Sequence, residues 1–264
     1  MGIGPGDEAH LTREALSAIT SSNVIVGYKG YIKYIEHFIF DQKLISTGMT
    51  KELERARAAV DEALLGNRVC VVSSGDAGIY AMAGLILEVC HELGLGVERF
   101  GASQNGLDED QDQQEPTIYF DCVPGVPAFV GAASLLGAPL MHDFCSISLS
   151  DLLTPWEVIE KRLRMAGEGD FVVALYNPRS KRRDWQLAKA LHIIGDYRQG
   201  ETPVGLVKRA MRPGESVSIH QLRDFPVESV DMESIVIVGN SSTFLVGPFM
   251  VTPRGYLTKY SLNK

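Results

Sequence analysis

Cysteine is scarce in this sequence and never closely spaced. Cys70, Cys90, Cys122 and Cys145 are the four in 264 residues, with no C-x-x-C pair among them. That argues against a disulfide-built scaffold or a thiolate metal site, and predicts buried, reduced thiols. The six histidines (His10, His37, His91, His142, His192 and His220) show no H-x-x-x-H or H-E-x-x-H spacing, so no metal site is expected. A G-x-S-x-G nucleophile elbow is missing as well. No apolar run reaches the ~18 residues of a membrane span. Met1-Gly2-Ile3-Gly4-Pro5-Gly6 has neither the basic nor the apolar region of a secretory leader. Basic charge is in deficit: 25 Lys+Arg against 33 Asp+Glu give a net charge of −8. A general binder of nucleic acid or anionic membrane wants the opposite balance. The expectation is a soluble, cytoplasmic protein with neither of those partners.

The remaining composition, 45% hydrophobic and 22% charged, is that of an ordinary globular chain. Its length corresponds to roughly two domains. Short β-rich runs alternate with amphipathic helical runs, which predicts an α/β fold with helices on the sheet faces. Val24-Ile25-Val26 and Val69-Cys70-Val71-Val72 read as strands. Between them Glu52 to Leu65 reads as a helix, with Leu53, Ala56, Val60, Ala63 and Leu64 on one stripe. Further helices are predicted at Arg13 to Ile19 with Thr12 as N-cap, Ile79 to Leu93, Ala128 to Leu136, Trp156 to Met165 and Asp184 to Ile194. Strands are predicted near 144–148, 171–176, 204–207, 216–219 and 235–238. The later ones lack long helices between them, which predicts a mixed sheet with antiparallel pairs. Residues 101–115 are acidic, Gln-rich and almost free of apolar side chains, and read as a solvated loop. That loop places a domain boundary between 1–115 and 116–264.

Gly2-Ile3-Gly4-Pro5-Gly6 has the look of a dinucleotide loop, but Pro5 removes an amide donor and the helix starts only near Thr12. A nicotinamide enzyme is therefore disfavoured, and a tight turn that lets a ligand approach the backbone stays open. Ser74-Gly75-Asp76-Ala77-Gly78 lies between a strand and a helix, where open α/β sheets bind ligands. Asp76 has two equal readings there, as an acceptor for ligand donors or as a helix N-cap. Pro124-Gly125-Val126-Pro127-Ala128 repeats the arrangement, and Leu175-Tyr176-Asn177-Pro178 is a third strand end. Arg179, Lys181, Arg182 and Arg183 are the densest basic cluster. They read either as a solvated face or as a site for a polycarboxylate or phosphate.

Taken together these segments resemble the tetrapyrrole methylase family over nearly the whole chain. The carriers include Gly2-Ile3-Gly4-Pro5-Gly6-Asp7, Ser73-Ser74-Gly75-Asp76, Val123-Pro124-Gly125-Val126-Pro127-Ala128, Gly137-Ala138-Pro139-Leu140-Met141-His142-Asp143 and Ser146-Ile147-Ser148-Leu149-Ser150-Asp151. Val26-Gly27-Tyr28, Leu152-Leu153-Thr154-Pro155-Trp156, Ala174-Leu175-Tyr176-Asn177-Pro178-Arg179-Ser180 and Thr252-Pro253-Arg254-Gly255-Tyr256 are similar to one branch of that family. That branch methylates C17 of precorrin-3B in cobalamin biosynthesis, with contraction of the macrocycle.

The resemblance implies two α/β domains with S-adenosylmethionine (SAM) in the cleft between them, a tetrapyrrole substrate and a homodimer. Matched position by position, it assigns cofactor contacts to Pro5, Ser74, Gly75, Asp76, Ile79, Pro127, Ala128, Tyr176 and Ala210. Ser74 stands where the family has the first glycine of a Gly-Gly-Asp triplet. The family's apolar residues ahead of the first glycine loop are reduced here to Met1, so a short or absent first strand is expected. Ring contraction needs proton transfer, for which Asp7, His10, His142 and Asp143 are candidates because they flank family loops. Arg179, Lys181, Arg182 and Arg183 are candidates for substrate carboxylates. Alternatives within the fold are methylation of another precorrin, of RNA or of protein, or SAM binding without turnover.

Overall fold

The computed structural model describes residues 1–100, 116–181 and 183–260. The acidic stretch 101–115 and Arg182 thus lie outside the described residues. The chain divides into two compact units, Met1–Pro127 and Ala128–Lys264. The division falls later than 115/116 because the segment after the acidic stretch belongs by its hydrogen bonds to the first unit.

In the first unit α1 (Arg13–Thr20) opens on Thr12, whose hydroxyl accepts from Ala15 N at 3.0 Å. It leads into β1 (Val24–Tyr28), an apolar run buried for four of its five residues. A one-turn helix, α2 (Lys29–Ile32), and β2 (Lys43–Thr47) follow, then α3 (Glu52–Leu64), β3 (Val69–Val72) and α4 (Met82–Glu92). The strands form a parallel sheet in the order β2-β1-β3, with Ile25 opposite Leu44 and Cys70. Parallel strands need helical crossovers, and α3 is the one between β2 and β3. The short strands β4 (Gly96–Glu98) and β5 (Thr117–Tyr119) pair in parallel and hold the segment after residue 115 to this unit.

The second unit begins with α5 (Ala128–Leu136), followed by β6 (Gly137–Ala138), β7 (Phe144–Ser148), α6 (Trp156–Glu168) and β8 (Val172–Tyr176). Then come α7 (Gln186–Gly195), β9 (Pro203–Lys208), β10 (Ser216–Gln221) and β11 (Ser234–Val238). The hairpin β12 (Phe244–Val246) and β13 (Phe249–Val251) and the short α8 (Tyr256–Lys259) complete it. The main sheet runs β10-β9-β11-β8-β7 and is mixed, as the sequence predicts: β7 and β8 are parallel, whereas β11 is antiparallel to β8 and β9. Its core joins Leu163, Leu175, Leu187, Ile194, Leu206 and Val236.

Three sequence expectations need correction. The buried face of α3 is Arg55, Ala56, Ala59, Val60 and Glu62, whereas Leu53 is 63% exposed and Leu64 44% exposed. The fourth helix starts at Met82, not Ile79, since Tyr80 turns left-handed at φ 52° and breaks the run. Among the thiols Cys70 and Cys90 are buried and Cys145 is half-buried, but Cys122 is exposed. Burial pushes the Cys70 and Cys145 thiols up to about 11. No helix of the described residues is long and apolar enough to cross a membrane.

Two measurements check these faces. Val60→Ala will cost about 2 kcal/mol in urea unfolding and Leu53→Ala less than about 0.5. Iodoacetamide at pH 8 will alkylate Cys122 in the native chain, while Cys70 and Cys145 react fully only after unfolding.

Candidate functional site

Three loops far apart in the sequence meet in the first unit. Met1 to Gly4 lies beside the end of β3: Ser73 N donates to Met1 O at 3.0 Å and Ile3 N to Ser73 O at 2.9 Å. Gly4 and Gly75 then exchange both backbone hydrogen bonds, at 3.0 and 2.8 Å. The short first strand is therefore a pair of bridges, Gly2 to Ser73 and Gly4 to Gly75. The third loop joins where Gly2 N donates to Val123 O at 2.9 Å. Thr12 Oγ1 reaches Pro124 O at 3.4 Å from its cap position.

Glycine is required at this junction. A Cβ on Gly2 would strike Gly75 O and Gly125 N, and one on Gly125 would strike Gly75 O and Gly2 O. Gly4 and Gly75 also hold left-handed backbone, at φ 62° and 68°. The result is a tight main-chain junction in which Gly2, Gly4, Pro5 and Gly75 are buried and Gly125 is half-buried.

Asp76 has a role within the chain that its two sequence readings do not include. Its Oδ1 accepts from Gly78 N at 2.8 Å, closing its own turn, and its Oδ2 accepts from Gly125 N at 3.1 Å. It is not the N-cap of α4, a position held by Ala81. The carboxylate clamps the second loop to the third. Ile79 lies half-buried in the stretch between Asp76 and α4, and Ser74 half-buried ahead of Gly75.

The second unit gathers another group around the first turns of α5. Phe129 N donates to the Tyr176 hydroxyl at 3.2 Å, placing the end of β8 against the helix start at Ala128. Gly131 faces Met211 Sδ and the Ala210 methyl, at 3.7 and 3.9 Å from where its Cβ would stand. Tyr176 thus lies at the first turn of α5, which begins at Ala128, and Ala210 beside Gly131 of the same helix. Ala210 sits between two left-handed residues, Arg209 at φ 48° and Met211 at φ 59°, and Asn177 after β8 is at φ 49°. Such outliers concentrate at functional sites. Asn177 Nδ2 donates to Ser148 Oγ at 3.0 Å, tying the carboxyl ends of β7 and β8.

The acid–base candidates fall in two places. Asp7 caps the turn Glu8–His10 through Ala9 N, at 2.8 Å, and is exposed. His10 packs its backbone carbonyl against Gly4, and its Nδ1 is buried with no hydrogen-bond partner. His142 and Asp143 are exposed neighbours in the second unit, with Asp143 N donating to His142 Nδ1 at 2.7 Å.

The basic cluster is less available than its composition implies. Arg179 is paired with Glu228 and donates to its carbonyl at 2.9 Å. Arg183 donates to Asn177 O, and burial lowers its pKa while Asp151 opposes the shift. The pocket beside Arg179 and Lys181 also carries Asp184, Asp231 and Glu233, so its field is mixed. Neither arginine opens α7, which starts at Gln186. Among the described residues no group of three His, Cys, Asp or Glu side chains could hold a metal.

Residues 1–100 and 107–226 match the model of the tetrapyrrole (corrin/porphyrin) methylases. The chain belongs to that family. Among curated relatives this methylase is 47% identical to the cobalt-factor III methyltransferase of Priestia megaterium, over all of the chain but only 46% of that protein. It thus spans under half the length of that relative. It is also 47% identical to the probable cobalt-factor III C(17)-methyltransferase of Salmonella typhimurium, over 97% of the chain and 98% of that protein. Among solved structures, the methyltransferase CobJ matches with a TM-score of 0.79 and 38% identity, over 96% of the chain and 97% of CobJ. The fold is shared with a uroporphyrin-III C-methyltransferase from Thermus thermophilus in complex with S-adenosyl homocysteine, at TM-score 0.60 and 18% identity over 90% of the chain and 95% of that one.

Sequence reasoning quoted the glycine motifs of this methylase but assigned no role to Gly2 or Gly125. The signal was available in part, since a glycine inside each of three ligand-loop patterns implies close backbone approach. Gly125→Ala will destabilise the protein by about 1–3 kcal/mol in urea unfolding, because the Cβ forces the junction apart. Gly84→Ala, in α4 with nothing within 4 Å of its Cβ position, will stabilise by about 0.5–1 kcal/mol instead.

Proposed function

We propose that this chain is a SAM-dependent C-methyltransferase of cobalamin biosynthesis that methylates C17 of precorrin-3B or its cobalt form, with contraction of the macrocycle. The supporting observation is the glycine junction of the first unit, in a chain that aligns end to end with a C(17)-methyltransferase of the same family at 47% identity. The left-handed turn at Gly75, flanked by half-buried Ser74 and Asp76 at the carboxyl end of β3, fits a ligand that lies against backbone at a strand end. Pro5, Ser74, Gly75, Asp76, Ile79, Pro127, Ala128, Tyr176 and Ala210 would be the SAM contacts.

SAM supplies an electrophilic methyl group on a sulfonium, so the protein needs no nucleophile of its own. Its task is orientation and exclusion of water, and good alignment is worth ~7–11 kcal/mol of barrier. The absence of a nucleophile motif and the abundance of fixed backbone agree with that division of labour. Asp76 keeps two loops in register, and the Tyr176 hydroxyl fixes the start of α5. Proton transfer during contraction falls to Asp7, His10, His142 or Asp143. Of these, His10 has a buried Nδ1 that meets no hydrogen-bond partner among the described residues. Lys181 and Arg182, with Arg179 and Arg183, would meet substrate carboxylates.

The working form would be a cytoplasmic homodimer. Support for a partner copy lies in the hairpin of the second unit, where Phe244, Leu245, Val246 and Phe249 are about half exposed in one short ribbon.

Calorimetric titration with S-adenosylhomocysteine tests the cofactor, with NADH as control. Saturable binding of the former alone is expected. Methyl transfer from labelled SAM to precorrin-3B and to cobalt-factor III then tests the substrate. Binding of NADH alone, or SAM turnover on neither tetrapyrrole, would overturn the reading.

A further inference from the structure

The helix α3 buries an arginine that has no anionic partner. Arg55 is 4% exposed, more hidden than most of the apolar residues around it. Its Nε donates to Thr47 Oγ1 at 2.8 Å, one terminal nitrogen to Gly48 O at 3.0 Å, and the other to Met82 Sδ at 3.6 Å. All three acceptors are neutral, and no carboxylate among the described residues pairs with the guanidinium. Arginine has five donors, so two N–H groups remain after these three contacts. Arginine does not shed its proton in a protein. A buried cation without an anion is a cost to stability, and replacing it by an apolar side chain is often neutral or favourable.

Its position gives that cost a purpose. β1, β2 and β3 are parallel, so their carboxyl ends share one edge. Thr47 and Gly48 end β2 at that edge, and the Ser73–Asp76 loop leaves β3 there. Open α/β sheets take their ligands at this edge. The loop that follows the Thr47 and Gly48 contacts is solvated: Gly48, Met49 and Thr50 are exposed, and a Cβ on Gly48 would meet nothing within 4 Å. Thr50 is held at φ 63°, an unusual conformation for a β-branched residue.

We propose that Arg55 is an anion anchor, preset by Thr47, Gly48 and Met82, that receives a carboxylate of the bound ligand. The inference rests on the methyltransferase reading, in which two ligands carry carboxylates: the tetrapyrrole on its periphery and SAM on its amino-acid tail. A planar fork fixed by neutral acceptors suits a carboxylate better than a flexible ammonium would.

The test compares Arg55→Met and Arg55→Lys with the unaltered protein, by thermal unfolding and by calorimetry with S-adenosylhomocysteine. Fluorescence titration with uroporphyrin III, a polycarboxylate tetrapyrrole that needs no turnover, completes it. Arg55→Met is expected to keep or raise the midpoint of unfolding while weakening one ligand by about 10- to 100-fold, and Arg55→Lys to recover part of that loss. Loss confined to uroporphyrin places the tetrapyrrole carboxylate at Arg55, and loss confined to S-adenosylhomocysteine places the SAM carboxylate there. Unchanged affinity for both ligands in either variant would overturn the anchor and leave the methyltransferase reading standing. Failure of the unaltered protein to bind S-adenosylhomocysteine would overturn that reading and the anchor with it.

Discussion

The first unit depends on the contact of three glycine-bearing loops, where backbone meets backbone with no side chain between. Gly4 and Gly75 exchange a pair of hydrogen bonds, Gly2 reaches Val123, and the Asp76 carboxylate holds Gly125. Three elements of the unit are tied to this junction. β3 delivers Ser73 to it, α1 is capped by a threonine that also touches Pro124, and α4 starts only after the Asp76 turn has closed. The missing Cβ atoms are what make the junction tight, because the space each would take at Gly2 and Gly125 is filled by neighbouring main chain.

The second unit solves a comparable problem with side chains. The Tyr176 hydroxyl takes the place of a backbone acceptor for Phe129, and Ala210 is small enough to sit beside Gly131. Left-handed residues on either side of Ala210 and at Asn177 hold the strand ends in unusual shapes. That strain is borne by a sheet whose central strands, β8, β9 and β11, are almost wholly buried.

Much of the fold could be read from sequence because its strands are apolar runs and its loops carry glycine and proline. β7 falls on 144–148 as expected, and Thr12 caps α1 as expected. The failures have identifiable causes. β2 is a short edge strand, Lys43 to Thr47, in which only Ile45 packs against the cluster of Val24, Val26 and Ala59. The stripe on α3 was misjudged because leucine weighs heavily in any periodic reading, whereas the buried positions hold Arg55 and small alanines. The thiol of Cys122 was placed inside because its neighbours are apolar, yet it lies beyond β5 where no strand covers it.

For the site, motif reading finds the loops but not the contacts that join them. The Asp76 carboxylate accepts from Gly125 N, Arg179 pairs with Glu228, and Arg183 donates to Asn177 O. Which donors and acceptors meet is decided by long-range closure, and no local pattern encodes that.

Long-range closure also sets an order of events during synthesis. Thr12 and Pro124 stand 112 positions apart, and Gly2 and Val123 farther still. At about 5–20 residues per second, a ribosome needs roughly 6 to 20 seconds to make that interval. The segment Met1 to Gly4 is therefore among the last in its unit to complete its contacts. Throughout that wait Met1 and Ile3, which end up buried, stay exposed on a nascent chain, where chaperones or a neighbouring polypeptide can reach them.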